Sequence, residues 1–255
     1  MDCRPVTAAA AALVIAVTIL LSLRGLARIE TGEATSDSGG PLIGHRIRAW
    51  YRGLFGPLEE QLAALGVHPD HLTYAALVVS VVSGIAFARG AFFLAGWLTI
   101  LAGTLDIIDG GLARRTGLAS ARGAFVDSVV DRWAECATFL GLGIWFWRDR
   151  SLLGVAIAAF ASQMVSYVRA RAEGLGVELA SGRAQRPERY VILGVGAWLT
   201  SLSGHLLCPL LGYRPQKLLV VTVWLLAAVA TWTAVERTLD AVAALRARES
   251  PRESK

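Results

Sequence analysis

The sequence predicts an all-α integral membrane protein: a bundle of six transmembrane helices, preceded by an amphipathic surface helix and an extra N-terminal apolar helix. Of the 255 residues, 55% are hydrophobic and 18% are charged, whereas soluble domains carry about a quarter charged residues. The mean hydropathy is +0.52, and apolar runs long enough to cross a bilayer recur along the chain. The three cysteines lie far apart without a CxxC pair, which predicts neither a disulfide framework nor a zinc site.

The first 67 residues divide into three predicted segments. Residues 1–29 contain an uncharged apolar run, which we interpret as an N-terminal anchor or a signal-like helix. Residues 30–42 are polar and rich in glycine and serine, which predicts a flexible linker. In residues 43–67, apolar side chains recur at three- and four-residue steps while arginine and glutamate occupy the other faces. This pattern is typical of a juxtamembrane helix that lies on the bilayer surface.

Residues 68–246 predict one six-span domain, followed by a polar C-terminal tail at 247–255. The spans are expected near residues 72–88, 91–109, 124–147, 151–172, 188–211 and 216–240. Arginines concentrate after the second, fourth and sixth spans, which orients these loops and the surface helix toward the cytoplasm. We expect a multi-pass membrane protein, and the bacterial inner (plasma) membrane is the location that we predict for it. The net charge of +5 fits this orientation and an attraction to anionic membrane lipids. Nucleic acid binding is not expected, because the sequence predicts no soluble basic domain.

Four aspartates interrupt the apolar sequence of the second and third spans. Asp106 and Asp109 are three residues apart, and Asp127 and Asp131 are four residues apart, so each pair lies on one helix face. If the two helices are neighbours, both pairs point into one cleft. An unpaired aspartate in the membrane costs roughly 2.5–3.5 kcal/mol, and four together repel one another, which favours bound cations. Because the candidate ligands are carboxylate oxygens without nearby histidine or cysteine, Mg²⁺ or Mn²⁺ is expected.

Two glycines suggest what the cations would do. Gly110 and Gly123 lie on the acid-bearing faces, where the missing side chains would let a phosphate ligand approach the backbone. Paired metal ions about 4 Å apart are a common way to clamp a phosphoryl displacement. Taken singly, acids near a span end can serve interfacial solvation, and glycines can serve helix packing. The combination on two adjacent helices favours a metal-dependent phosphoryl-transfer site.

The complete pattern resembles the signature of the CDP-alcohol phosphotransferase family. It reads Asp106-x-x-Asp109-Gly110-x-x-Ala113-Arg114, then eight residues, then Gly123-x-x-x-Asp127-x-x-x-Asp131, and every fixed position matches. The resemblance extends from the surface helix to the end of the sixth span. Members of this family are six-span bundles, usually homodimers, that use two divalent cations. They transfer a phosphatidyl group from CDP-diacylglycerol to an alcohol and release CMP.

This resemblance implies roles for the signature residues. Asp106, Asp109 and Asp127 are expected to be metal ligands. Asp131 is expected to be the general base for the acceptor hydroxyl and an additional metal ligand. The remaining signature positions are expected to form the cradle for the nucleotide and its diphosphate; they are Gly110, Ala113, Arg114 and Gly123.

The acceptor is indicated by a second stretch, residues 166–196. Its "SYVRARAE" and "RPER" runs resemble the phosphatidylinositol phosphate synthase branch, whose acceptor is inositol phosphate. The entry into the first span, "VHPDHLT", resembles the same branch and assigns Asp70 and Thr73 to the nucleotide side. A phosphorylated acceptor needs fixed cations, and arginine can bind two phosphate oxygens at once. The candidates are Arg169, Arg171, Arg186 and Arg189. Alternatively, these arginines serve membrane topology alone, and Glu173 pairs with Arg169 at i+4.

Other functions remain open at this stage. The same reaction with glycerol 3-phosphate as acceptor, or with an ether-lipid donor, would need a similar site. A cation- or proton-coupled transporter could use the aspartates as an ion path. All four acids lie near one face of the predicted membrane domain, however, whereas a transport path requires polar groups at mid-depth and broken spans. A non-catalytic scaffold leaves the acid cluster unexplained.

Overall fold

The computed structural model describes residues 45–179, 186–206 and 216–249. These residues form seven α-helices and no strands. In chain order the helices are α1 (His45–Ala64), α2 (Pro69–Ala88), α3 (Phe92–Arg115), α4 (Ala121–Trp145), α5 (Ser151–Gly174), α6 (Arg186–Leu206) and α7 (Gln216–Glu249).

Local sequence explains where several helices begin and end. Pro69 occupies the first turn of α2, where its missing N–H would have no partner in the helix anyway. The Ser120 hydroxyl oxygen caps α4 by accepting a hydrogen bond from the backbone N–H of Gly123 at 3.1 Å. Gly117 follows α3 with a φ of 70°, a left-handed conformation that favours glycine and stops the helix.

Helices α2 to α7 pack as a closed ring. Going round it, α2 contacts α3, α3 contacts α6, α6 contacts α7, α7 contacts α5, α5 contacts α4, and α4 returns to α2. Helix α1 lies outside the ring against α3. Helices α3 and α4, which carry the aspartates, are joined mainly through α2 rather than by extensive contact with each other. A gap between their acidic faces follows from this arrangement.

Small residues allow the closest helix crossings in the ring. A Cβ on Gly141 of α4 would collide with the backbone of Gly84 of α2. On the far side, a Cβ on Gly96 of α3 would lie 2.6 Å from the carbonyl oxygen of Gly194 of α6. Such small-residue contacts are typical of helices packed within membranes, where backbones approach closely. The apolar core lies between these crossings and includes Phe87, Phe92, Phe139, Leu142, Leu193, Leu219 and Leu226.

Four of the described helices have the length and apolar composition needed to cross a bilayer: α2, α3, α5 and α7. Large apolar side chains on the outside of the bundle also favour a lipid environment, since Trp133 and Phe160 are 67% and 71% exposed. The charged residues of α4 and α6 include some that point inward, since Glu135 and Arg189 are buried. The protein is therefore a multi-pass integral membrane protein.

The helix positions agree with the predicted spans, and two helices extend beyond the ends of those spans. Helix α3 continues past residue 109 to Arg115, and α7 continues past residue 240 to Glu249. In both cases the helix extends into arginine-rich sequence, which apolar content alone assigns to a loop. Helix α7 also crosses the predicted boundary at 246 between the domain and its tail. The predictions for residues 1–29 and 30–42 lie outside the described residues, as do those for residues 207–211 and 250–255.

Candidate active site

Three carboxylates form the centre of the site. Asp106 and Asp109 of α3 and Asp127 of α4 each place an oxygen within 4.8 Å of the others. The acidic faces of the two helices therefore face each other across the gap, and both carboxylate pairs point into one cleft, as the spacing predicts. The Oδ1 atom of Asp127 is buried and has no hydrogen-bond partner among the described residues. Three hard oxygen ligands, mutual repulsion and an unsatisfied buried oxygen together fit a divalent cation such as Mg²⁺ or Mn²⁺.

Helix α2 holds one of these carboxylates in place. The Thr73 hydroxyl donates a hydrogen bond to Oδ2 of Asp109 at 2.6 Å, and both residues are buried. Thr73, predicted to lie on the nucleotide side, thus lies against an acid of the cluster. A hydrogen bond from a neighbouring helix fixes the orientation of a candidate ligand carboxylate.

Asp131 lies beside the cluster and is paired with an arginine. It is not one of the three carboxylates that approach within 4.8 Å. Instead Asp131 forms an ion pair with Arg186 at the start of α6. The same Nη1 atom of Arg186 donates to Oδ1 of Asp106 at 2.7 Å. Arg186 therefore connects two of the four aspartates across three helices.

The predicted nucleotide residues lie at the ends of α2, α3 and α4. An added Cβ at Gly110 would meet only the flexible end of the Arg114 side chain, at 3.4 Å from Nη1, whereas at Gly123 it would lie 3.3 Å from Oγ of Ser120. Arg114 is exposed, and Ala113 is half-buried. Asp70 accepts a hydrogen bond from Arg122 at 3.0 Å, which links the start of α2 to the start of α4.

The four predicted acceptor arginines occupy different surroundings. Arg169 forms an exposed ion pair with Glu173 at 2.8 Å, which confirms the i+4 pairing considered from the sequence. Arg171 is exposed near the end of α5. Arg189 is buried and donates from Nε to Oε1 of Glu135 on α4 at 2.8 Å. Arg186 lies among the aspartates, as described above.

Three residues of this region were missed by sequence reasoning. Glu135 continues the stripe of Asp127 and Asp131 by one more four-residue step, and this spacing could have identified it. Tyr190 accepts a hydrogen bond from Nη2 of Arg186 at 3.0 Å. Arg237 of α7 is buried and donates from Nη1 to the carbonyl oxygen of Val165 at 3.0 Å. It lies within electrostatic range of Arg169 and Arg189, and its position inside an apolar span was the available signal.

Helix α1 is attached to the site from outside the ring. The hydroxyls of Tyr51 and Thr104 share a hydrogen bond of 2.6 Å, and burial raises the pKa of the Tyr51 phenol above its ordinary value. Arg115 donates from Nε to Oε2 of Glu59 at 3.2 Å and from Nη1 to Oε1 of Glu60 at 2.7 Å. Glu59 also packs against Gly111, where any side chain would collide with it. The surface helix is thus joined to α3 close to Asp109.

Residues 66–235 match the CDP-alcohol phosphatidyltransferase family. The chain therefore belongs to this family, and it is a transferase. This confirms the resemblance seen in the aspartate signature.

Two named proteins illustrate what the chain is similar to. A phosphatidylinositol phosphate synthase of Mycobacteroides abscessus is 33% identical over 195 residues, covering 74% of this chain and 84% of the relative. An archaetidylinositol phosphate synthase of Methanothermobacter thermautotrophicus is 33% identical over 165 residues, covering 65% of this chain and 80% of the relative.

Solved structures of the Mycobacterium tuberculosis phosphatidylinositol phosphate synthase also resemble the chain. The structure with CDP-DAG bound has a TM-score of 0.63 and 31% sequence identity, covering 72% of this chain and 92% of that one. The structure in complex with manganese and citrate has the same TM-score of 0.63 and 31% identity, covering 73% and 88%.

Proposed function

We propose that the protein transfers the phosphatidyl group of CDP-diacylglycerol to an inositol phosphate and releases CMP. The observation that carries this proposal is the group of three carboxylates from α3 and α4 within 4.8 Å, with Arg186 of α6 beside it. In the reaction, an acceptor hydroxyl oxygen forms a new bond to the phosphatidyl phosphorus, and the bond from that phosphorus to CMP breaks. The hydroxyl proton passes to Asp131, the proposed general base.

Asp106, Asp109 and Asp127 would hold divalent cations, with Asp131 as a further ligand. Two ions, Mg²⁺ or Mn²⁺, are proposed because a diphosphate donor offers oxygens to complete both coordination shells. Bound cations would neutralise the diphosphate and stabilise the leaving CMP. The unsatisfied Oδ1 of Asp127 and the manganese complex of the Mycobacterium tuberculosis relative support this proposal.

The donor would lie over the ends of α2, α3 and α4. Small residues at Gly110, Ala113 and Gly123 would let its diphosphate approach the backbone, and Arg114 would supply a positive charge. Asp70 and Thr73 are proposed on the nucleotide side of this cradle. The hydrogen bond from Thr73 to Asp109 would couple the nucleotide region to the carboxylates. The CDP-DAG complex of the structural relative supports this donor.

The acceptor phosphate would bind where arginines of three helices approach one another. Arg189 is fixed by Glu135, and Arg169 and Arg237 lie within electrostatic range of each other. Arg171 and Arg186 complete the proposed set. In an inositol phosphate, the charged phosphate group and the reacting hydroxyl lie at different positions of the ring. A basic pocket one helix turn from Asp131 would bind the phosphate, and the hydroxyl would then lie beside the proposed base.

We further propose that all six ring helices cross the membrane, in a homodimer of the bacterial inner membrane with the site facing the cytoplasm. The acids of the site lie toward the C-terminal end of α3 and in the N-terminal half of α4. The positive-inside rule assigns this side of the bundle to the cytoplasm. This one-sided position argues against the alternative of an ion-coupled transporter. The archaetidylinositol phosphate synthase relative makes an ether-lipid donor the second candidate within the same chemistry.

The test is a substrate panel with purified protein in lipid nanodiscs. Labelled CDP-diacylglycerol and its ether-linked analogue are each offered with inositol phosphate, inositol, glycerol 3-phosphate or serine, and CMP release is measured with and without a chelator. We expect CMP release with inositol phosphate, abolished by the chelator and restored by Mg²⁺ or Mn²⁺. Preference for glycerol 3-phosphate would refute the acceptor, and chelator-resistant transfer would refute the metal site.

The acceptor pocket has its own test. Arg189→Gln should raise the KM for inositol phosphate by about tenfold or more, with little change in the KM for the lipid donor, because a charged hydrogen bond to phosphate is lost. Arg148→Gln, a substitution of an arginine at the opposite end of the bundle, serves as the control. Equal changes in both KM values would contradict a phosphate pocket at Arg189.

A further inference from the structure

Arg186 shares a carboxylate with the candidate metal site. Its Nη1 atom donates to Oδ1 of Asp106 at 2.7 Å and also pairs with Asp131. Asp106 is at the same time one of the three carboxylates that lie within 4.8 Å of one another. A carboxylate that already accepts a hydrogen bond from a guanidinium is a weaker ligand for a cation. Asp106 is therefore bonded to Arg186 and would also be a ligand of the proposed cation.

Tyr190 holds Arg186 from the next turn of α6. The Tyr190 hydroxyl accepts a hydrogen bond from Nη2 at 3.0 Å, and Cζ of Arg186 lies 5.2 Å from the centroid of the tyrosine ring. Gly103 of α3 makes room for this ring, since a Cβ at that position would lie 3.2 Å from it. Nothing assigns Tyr190 or Gly103 to the reaction, yet together they direct the guanidinium at Asp106 and Asp131.

The bonding of Arg186 at this place is incomplete. Its Nε is buried and finds no hydrogen-bond partner in the described part of the chain. A buried donor without a partner destabilises the arrangement that contains it. By contrast, Arg189 uses its Nε to bond Glu135 at 2.8 Å. At the Nε position Arg186 is thus less well satisfied than Arg189, and a different position of its guanidinium could give this atom a partner.

We propose that Arg186 is a resident counter-ion of the carboxylate site, held by Tyr190, which competes with divalent cations for Asp106 and Asp131. This inference rests on the proposed metal-dependent function and adds a control of cation affinity to it. When Asp106 and Asp131 turn toward a cation, Arg186 is released beside Arg189, on the side of the proposed acceptor pocket. Cation binding would then precede binding of the phosphorylated acceptor.

The test measures Mn²⁺ affinity by electron paramagnetic resonance, using purified protein without either substrate. Arg186→Gln should bind Mn²⁺ about tenfold more tightly than the wild type, because the substitution removes a positive charge that contacts the Asp106 carboxylate, a proposed metal ligand. Tyr190→Phe keeps the charge and removes only the phenol oxygen, so we expect about two- to fivefold tighter binding. Two matched controls should leave the affinity unchanged: Arg122→Gln, whose arginine is exposed and pairs with Asp70, and Tyr167→Phe, whose tyrosine is 58% exposed.

Several results would overturn the inference. Mn²⁺ affinity that stays equal or falls in folded Arg186→Gln contradicts competition. If Arg186→Gln does not fold, Tyr190→Phe decides, and an unchanged affinity there also contradicts it. Absence of saturable Mn²⁺ binding in every variant would overturn both this inference and the metal site. Tighter Mn²⁺ binding in a protein that transfers to none of the offered alcohols would instead support the competition and refute the proposed reaction alone.

Discussion

The two halves of α4 meet their neighbours in opposite ways. Its C-terminal half packs against α2 so closely that Gly141 and Gly84 leave no space for a side chain, and Leu142 is fully buried. Its N-terminal half approaches α3 and α6 through charged side chains, Asp127 and Asp131 among them. The comparison shows how a membrane bundle keeps a polar gap open. Rigid packing at one end fixes the helix, so that the carboxylates at the other end can face those of α3 without apolar contact between the two helices.

The largest expected effect comes from the charged half. Asp131→Asn removes the proposed base, and kcat should fall by about 10²- to 10⁴-fold, the range typical of general acid–base catalysis. CMP release from CDP-diacylglycerol measures this. Asp149→Asn, in the loop between α4 and α5, should keep wild-type turnover as the control. Near-normal turnover in Asp131→Asn would contradict the role of Asp131.

A smaller effect on Mn²⁺ binding or turnover is expected from Thr73, the residue of α2 that contacts the carboxylate cluster. Thr73→Val removes the hydroxyl that donates to Asp109 at 2.6 Å, so the carboxylate loses its fixed orientation. We expect about 10- to 100-fold weaker Mn²⁺ binding or lower kcat, the range seen when partners of metal ligands are removed. Thr238→Val is the matched control, because that exposed hydroxyl bonds only to the carbonyl of Ala234 in its own helix. Equal behaviour of the two variants would show that Thr73 does not orient Asp109.

Substitutions in the C-terminal half of α4 should change the stability of the protein rather than its catalytic rate. Gly141→Ala forces a methyl group against the backbone of Gly84, and overpacking of this kind lowers the free energy of unfolding by about 1–3 kcal/mol. Thermal unfolding in detergent measures it. Gly143→Ala, two residues away, meets only the Leu152 side chain at 3.7 Å and should unfold at or slightly above the wild-type temperature. A Gly141→Ala variant as stable as the wild type would contradict the tight crossing.

The smallest expected effect concerns the attachment of α1. Glu59→Gln weakens the contact with Arg115, and hydrogen exchange in α1 should become about two- to fivefold faster; the effect is small because the Arg115 side chain is 40% exposed and solvent screens the pair. Glu60→Gln is the comparison, since Glu60 is 66% exposed and Glu59 only 11%. If both variants exchange at the wild-type rate, the glutamates do not hold α1 on α3.

The acid cluster could be predicted from the sequence because its information is local. Carboxylates at three- and four-residue steps in apolar sequence fix a helix face. The short connection from α3 to α4 predicts that the two faces lie close together, and α2, which packs against both helices, holds them there. Helices α3 and α7 extend beyond the predicted spans, because apolar content marks the membrane segment and not the end of the helix. The family signature strengthened the local pattern without supplying contacts between distant segments.

The arrangement of the arginines could not be predicted, because it depends on contacts between distant parts of the chain. Arg186 reaches Asp106 across 80 positions, and Arg237 reaches the carbonyl of Val165 across 72. The spacing of residues within a single helix gives no information about such pairs. Glu135 could have been found by extending the aspartate stripe one step, whereas Tyr190 looks like an ordinary apolar position of α6.

Mn²⁺ titration of purified wild type and Asp109→Asn tests most directly whether the carboxylates of α3 and α4 bind divalent cations together. We predict saturable binding to the wild type that is lost in Asp109→Asn and kept in Asp149→Asn. Wild-type affinity retained in Asp109→Asn and in Asp127→Asn alike would contradict the account.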